Sequence, residues 1–288
     1  MVIVVYRYLL KRNMPTRPLS LEAIVAHKKR LIAQKQVVTP LASLRALASM
    51  QERPRDVCSA IRGSHVALLA QVQNLAPEEE TVDIPYDAVA LARRLVALGA
   101  QALLVLTDDN QPTGGIEHLT LATHAVDVPV IRQDYIIDEY QVIETRAAGA
   151  DGLLLRASLV NAATMRRLIS ATQRNRMTEI VEVRNEDELL TALPYEPRII
   201  AINNHDPETG VVDLTATRRL RPLIPAHILT LSRGGLYTPQ DVAAVFRDVD
   251  GIIVGPDVLL TRPAAAGIRD LLHITTKPHP IDSDPPAN

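Results

Sequence analysis

Between Lys35 and Lys277 the sequence holds no lysine; the remaining lysines are Lys11, Lys28 and Lys29, and arginine supplies the positive charge of that long interval. Chemistry that needs an ammonium from the body of the fold is therefore closed to this chain, since an arginine stays protonated and cannot act as a general acid near neutral pH. Cysteine is nearly absent as well. Cys58 stands alone, which excludes an intramolecular disulfide and a thiolate zinc cluster and fits a reducing cytoplasm. It reads as a small buried apolar residue rather than a nucleophile. The apolar stretch Met1 to Leu10 (MVIVVYRYLL) is far too short to span a bilayer, and Lys11-Arg12 follow it instead of preceding it. Neither a membrane span nor a signal peptide is expected there. A formal net charge of -2 with the two signs interspersed leaves nucleic acid without an obvious surface. No GxGxxG follows the first strong apolar run, so there is no dinucleotide signature.

What the chain does have is a repeated alternation of strand and helix. Pro129 to Leu155, PVIRQDYIIDEYQVIETRAAGADGLLL, shows it most compactly. An apolar run (Val130, Ile131) meets a polar corner (Arg132, Gln133, Asp134). An amphipathic segment then ends at Gly149, and a second apolar run covers Gly152 to Leu155. That order predicts a parallel βαβ unit. Strand-like runs recur at Val66–Val72, Ala102–Leu106, Val130–Ile131, Gly152–Leu155, Glu179–Val183, Ile199–Ile202, Ile228–Leu231 and Gly251–Val254, with helix-like segments between most of them and Pro263–Leu272 after the last. Eight such units in about 210 residues predict an α/β protein of the (β/α)₈ TIM-barrel class; a doubly wound open sheet is the runner-up. Residues 19–62 read as an N-terminal helical segment in which Ser20 caps the first helix and Pro40 breaks it. Residues 1–18 then form an N-terminal extension, 63–273 the barrel, and 274–288 a proline-bearing tail without apolar periodicity, expected to be disordered.

In such a barrel the residues at the C-terminal ends of the strands face the ligand. Here they include Gln71 and Gln73, Asp108 and Asp109, Gln133, Arg156, Glu182, Asn203 and His205, Ser232 and Arg233, Gly234 and Gly235, and Gly255. Glu182 is a carboxylate on a strand, flanked by Val181 and Val183, and alternation puts it on the same face as Ile180, expected to be the interior. It reads either as a base whose pKa burial raises or as a buried glutamate held by an arginine. The glycines of the last two corners suggest a phosphate cradle, against which Pro256 offers no N–H and Asp257 adds negative charge.

These stretches resemble one family, indole-3-glycerol phosphate synthase, the (β/α)₈ enzyme of tryptophan biosynthesis. Besides PVIRQDYIIDEYQVIETRAAGADGLLL, the similarity runs through IVEVRNEDEL, IIAINNHDPETGVVDL and LSRGGLYTPQDV, and IVAHKKRLIAQKQVVTPLASL is similar to the family's helical segment before the barrel. The resemblance covers about residues 20 to 272. It implies a lyase that closes and decarboxylates a carboxyphenylamino deoxyribulose phosphate, with neither cofactor nor metal ion. It also implies a glutamate base on strand five, which is Glu182, and an asparagine on strand six, which is Asn203. The lysine that the family uses as general acid falls on Gln133, and its strand-one glutamate and lysine fall on Gln71 and Gln73. His205 stands where an arginine is expected, the family's SESG reads SRGG at Ser232 to Gly235, and only Pro77 survives of the motif that begins at Ala76. A glutamine amide has no proton to give at neutral pH, whereas a lysine can be tuned to act as an acid.

Two readings follow. One is an enzyme with rearranged groups, Glu182 as base and His205 as acid, assisted by Asp108 and Asp109. The other is a non-catalytic relative that binds a small anionic or phosphorylated ligand, or a partner protein, with Arg156 and Arg233 supplying charge.

Overall fold

The computed structural model describes residues 20–63, 65–73, 86–111, 114–206, 209–261 and 264–274. The N-terminal extension, nearly all of the tail, Ala76, Pro77 and Pro112 lie outside these residues. Eight parallel strands close into a barrel in sequence order. They are β1 (Ala67–Val72), β2 (Ala102–Leu106), β3 (Val130–Gln133), β4 (Gly152–Arg156), β5 (Thr178–Val183), β6 (Ile199–Asn203), β7 (Leu229–Arg233) and β8 (Gly251–Val254). Among the described residues three helices precede the barrel: α1 (Leu21–Val38), α2 (Leu41–Met50) and α3 (Val57–Ile61). The strands alternate with α4 (Ala88–Ala97), α5 (Ile116–Ala125), α6 (Glu139–Ala147), α7 (Ala162–Arg174), α8 (Glu186–Ala192), α9 (Thr215–Leu220) and α10 (Pro239–Val245). After β8 come α11 (Pro256–Thr261) and α12 (Ala264–Ile274). No helix among the described residues is long and apolar enough to cross a membrane.

The strand period of two sorts the side chains into an inner and an outer set. Leu69, Leu104, Ile131, Leu154, Ile180, Ala201, Leu231 and Ile253 pack together inside the barrel, and Val57 and Ile61 of α3 join the same cluster and floor it. Cys58 lies beside this floor, half-buried, and burial pushes its thiol pKa up, which suits a packing residue and not an activated thiolate. The outer faces of the strands pack against the surrounding helices in two further clusters.

Ser20 caps α1 by accepting from the Ala23 N–H at 3.3 Å, as its position in the sequence predicts. α1 and α2 rest on α6, with Ile32, Leu44 and Ala48 against Tyr140 and Ile143. Asp138 and Gln141 form a reciprocal capping box at the start of α6. Gly149, at φ +85°, lets the chain turn from α6 into β4, a conformation that costs glycine nothing.

Two boundaries differ instructively from the sequence reading. β3 runs two residues past its apolar part, so Arg132 and Gln133 are strand residues rather than a loop corner. α11 is an additional helix, placed where the sequence reading has only a connection from β8 to the last helix.

Candidate functional site

Adding two to each innermost apolar position gives the top layer of the barrel interior. Leu69 leads to Gln71, Ile131 to Gln133, Leu154 to Arg156, Ile180 to Glu182, Ala201 to Asn203, Leu231 to Arg233 and Ile253 to Gly255. The polar mouth thus follows directly from strand alternation. Within it, Arg156 pairs in register with Glu182, and Asn203 with Arg233. A cavity of about 630 Å³ opens there, bounded by Gln71, Gln73, Gln133, Arg156, Arg233, Gly234, Gly235 and Gly255, with Tyr135 and Tyr237 at its rim.

Glu182 sits beneath two guanidiniums. Arg233 donates a hydrogen bond through Nη1 to Oε2, and Arg156 brings Nε to 3.7 Å from Oε1. Burial by itself would raise the Glu182 pKa, but Arg233, Arg156 and a hydrogen bond from Asn203 outweigh it and hold the carboxyl below its ordinary value. Of the two alternatives open in the sequence, a base made stronger by burial and a carboxylate held by arginine, the geometry is that of the second. Arg156 in turn lies 4.3 Å from the centre of the Tyr135 ring, and its Nε is buried without a hydrogen-bond partner. Across the mouth, the Gln71 amide donates to Gln133 Oε1 at 2.9 Å, so the two glutamines close on each other.

The remaining expected site residues divide. Ser232 points away from the mouth: it is fully buried on the outer face of β7, 2.8 Å from Thr217 Oγ1 and accepting from Asn204 Nδ2 at 2.9 Å. His205 follows β6 in a bridge with Val212, outside the lining of the main cavity. Asn203 accepts from the His205 N–H at 3.1 Å and reaches both Glu182 and a smaller neighbouring cavity. Arg132 is not on the active-site rim. It is buried on the outer side of β3, donating to Glu144 at 2.8 Å, Asp134 at 2.9 Å and Thr107 at 2.9 Å, so it anchors α6.

The glycine corner is built but obstructed. Gly234 and Gly235 both take left-handed conformations, φ +76° and +74°, and a Cβ on Gly235 would overlap Val212. At Gly255 the nearest neighbour is the Asp257 carboxylate, which a Cβ would also overlap, and Pro256 opens α11 with no N–H to offer.

Sequence reasoning missed Lys28. It lies on the buried face of α1 with Ile24 and Ile32, only 1 % exposed, and its ammonium is 2.9 Å from Asp108 and 2.7 Å from Asp134. Lys35, further along α1, reaches Glu144 at 2.9 Å and Asp109 at 3.8 Å. The barrel itself is free of lysine, yet α1 carries two to its upper edge. The available signal was the spacing 24, 28, 32, which puts a lysine in the middle of an apolar helical stripe. Burial works to lower the Lys28 pKa, but Asp134 and Asp108 win and raise it, and its position behind Asp108 keeps it out of the cavity lining. It is a poor proton donor near neutrality. No cluster of metal-ligating side chains occurs among the described residues.

A family model described as indole-3-glycerol phosphate synthase matches residues 21–271. The chain is 35% identical to an indole-3-glycerol phosphate synthase of Roseiflexus sp. (strain RS-1) over 261 residues, which cover 87% of this chain and 97% of that one. A synthase of Dehalococcoides mccartyi (strain CBDB1) is 33% identical over 257 residues, covering 88% and 99%. Among solved structures, N-acetylmannosamine-6-phosphate 2-epimerase from Clostridium perfringens superposes with a TM-score of 0.56 at 14% identity, covering 72% of this chain and 93% of that one. Thiamine phosphate pyrophosphorylase from Pyrococcus furiosus gives a TM-score of 0.53 at 16% identity, covering 74% and 98%. At such identities the two structures share the barrel fold with this chain and nothing finer.

Proposed function

The chain belongs to the indole-3-glycerol phosphate synthase family, and from that premise we propose that it keeps the family's barrel while having given up ring closure and decarboxylation, its mouth serving instead to bind a small anionic ligand. The observation that carries this reading is the state of Glu182. The residue that the family resemblance assigns as base is held by Arg233 and Arg156, and its pKa lies below the ordinary value. A carboxylate stabilised in that way accepts a proton poorly. The groups that would work with it are amides: Gln133 and Gln71 hydrogen-bond each other at 2.9 Å, and Gln73 lines the same cavity. General acid–base help is worth roughly 10²–10⁴-fold per group, so replacing two lysines and a glutamate by glutamine removes most of what the family reaction needs.

A rearranged enzyme that uses His205 as acid is disfavoured, because His205 is not among the residues lining the main cavity. The deciding experiment is a turnover assay of the purified protein on carboxyphenylamino deoxyribulose phosphate, with Glu182→Gln alongside. Product formation at background in both proteins is the expected outcome. Production of indole-3-glycerol phosphate that disappears in Glu182→Gln would overturn the proposal. The single half-buried cysteine is in keeping with a reducing compartment, the cytoplasm, as the site of action.

A further inference from the structure

The geometry points to the chemical class of the ligand: a small monocarboxylic acid without a phosphate group, seated on the guanidiniums of Arg156 and Arg233. This rests on the reading of the mouth as a binding site. The first support is a charge imbalance at the centre of the barrel. Two arginines converge on one carboxylate, Arg233 bonded to Glu182 and Arg156 standing 3.7 Å from it; the Arg233 side chain is only 11% exposed, that of Arg156 20% and that of Glu182 6%. Of the two other acids on the cavity wall, Asp108 is already engaged by Lys28 at 2.9 Å, and Asp257 stands against Gly255 at the β8 corner. The triad therefore carries one positive charge in excess in a sheltered place, where an uncompensated charge is costly. One ligand carboxylate restores neutrality. Its planar pair of oxygens matches the fork of a guanidinium, and Arg156, which lines the cavity, comes no closer to Glu182 than 3.7 Å, beyond hydrogen-bond distance.

The second support is the condition of the other anion locus. At the corner of β7 and β8 a phosphate would meet the Asp257 carboxylate against Gly255 and a proline nitrogen that cannot donate. A phosphate monoester brings about −1.5 to −2 charges at neutrality, which over-compensates the arginine triad and is poorly received at this corner. The neutral amides of Gln71, Gln73 and Gln133, which line the same cavity, suit uncharged hydrogen-bonding groups on the ligand.

The test uses the full chain, isothermal titration calorimetry at fixed ionic strength, and benzoate, benzamide and glycerol 3-phosphate as probes. Benzoate is expected to bind, with benzamide and glycerol 3-phosphate weaker by about tenfold or more, the weight of one charge-assisted hydrogen bond. The variants give opposite signs. Arg233→Gln weakens benzoate by about tenfold or more, whereas the near-isosteric Glu182→Gln frees both guanidiniums and strengthens it by a similar factor. A purely structural role for the triad would move thermal stability without this reciprocal change in affinity. If Arg233→Gln does not fold, Glu182→Gln with Arg156→Gln carries the same comparison. Tighter binding of glycerol 3-phosphate than of benzoate, no binding of benzoate, or unchanged or weaker benzoate binding by Glu182→Gln each overturns the inference. Turnover of the family substrate would overturn the proposed function but leave these titrations readable, since they are done without that substrate.

Discussion

Replacing Lys28 by methionine removes a charge that three elements share. The ammonium is 1 % exposed and lies between Asp108 at 2.9 Å and Asp134 at 2.7 Å. The two acids do not lose equally. Asp134 keeps Arg132 at 2.9 Å, Thr107 at 2.8 Å and the Tyr135 N–H at 2.7 Å, whereas among the described residues Asp108 keeps side-chain hydrogen bonds of 3.3 Å from Asn110 alone. Asp108 is thus the stranded charge, and removing one partner of a buried pair costs about 3–5 kcal/mol. Urea denaturation followed by circular dichroism should show that loss as a lower midpoint at unchanged m. Adding Asp108→Asn to Lys28→Met should return a large part of it, because the uncompensated charge is then gone. The pH dependence has a definite sign. Burial raises the Asp134 pKa, but Arg132 and Lys28 more than reverse this and hold it well below the carboxylate range. A depressed folded-state pKa stabilises above the unfolded value of about 3.9 and ceases to do so as pH falls through the folded value. The gap between wild type and Lys28→Met should therefore be full at pH 7 and narrow below about pH 4. A loss under about 1 kcal/mol, the size of a solvated surface pair, or a gap that stays constant into acid, would refute the reasoning.

Glu179 makes the opposite pH prediction. Its Oε1 accepts from Gln173 at 2.9 Å and from the Arg198 N–H at 3.0 Å, but Oε2 is buried without a partner, and burial raises its pKa. A raised carboxyl pKa subtracts stability once pH exceeds the unfolded value, so Glu179→Gln should melt higher than wild type at pH 7 to 8, with the difference vanishing near pH 4; a variant that melts lower at both would contradict this. Gln133→Lys alone should leave turnover of carboxyphenylamino deoxyribulose phosphate at background, because Arg233 and Arg156 still hold Glu182. Combining it with Gln71→Glu, Gln73→Lys and Arg233→Glu should produce measurable indole-3-glycerol phosphate, and activity in the single variant would show that the arginine clamp is not the obstacle.

The barrel was legible because its information is local. The apolar runs at 102–106 and 251–254 and the proline-led segment at 239–245 mark β2, β8 and α10 to the residue, and period-two alternation placed Glu182 on the interior face with Ile180. What stayed hidden depends on partners far away in sequence. Arg132 looks like a loop residue until Glu144 and Thr145 of α6 are seen to satisfy it within a strand. Ser232 belongs to a polar strand end, yet it faces outward because it is one step out of phase with Leu231. Lys28 reads as a solvated helix residue unless its place in the apolar stripe of α1 is weighed. The meaning of Glu182 depended on whether Arg156 and Arg233 converge on it, and only the closed barrel decides that.

The anchoring of α1 has a kinetic consequence. Lys35 and Glu144 are 109 residues apart, and Lys28 waits for Asp108 and for Asp134. At roughly 5–20 residues per second on the ribosome, the earliest-made of the described helices spends on the order of 5–20 s before Asp134 and Glu144 have been synthesised. Throughout that interval the lysines that will be enclosed are solvated, and they keep the apolar stripe of α1 interrupted by charge. The same residues that later fasten the helix shut thus keep its surface polar until Asp108, Asp134 and Glu144 exist to pair with them.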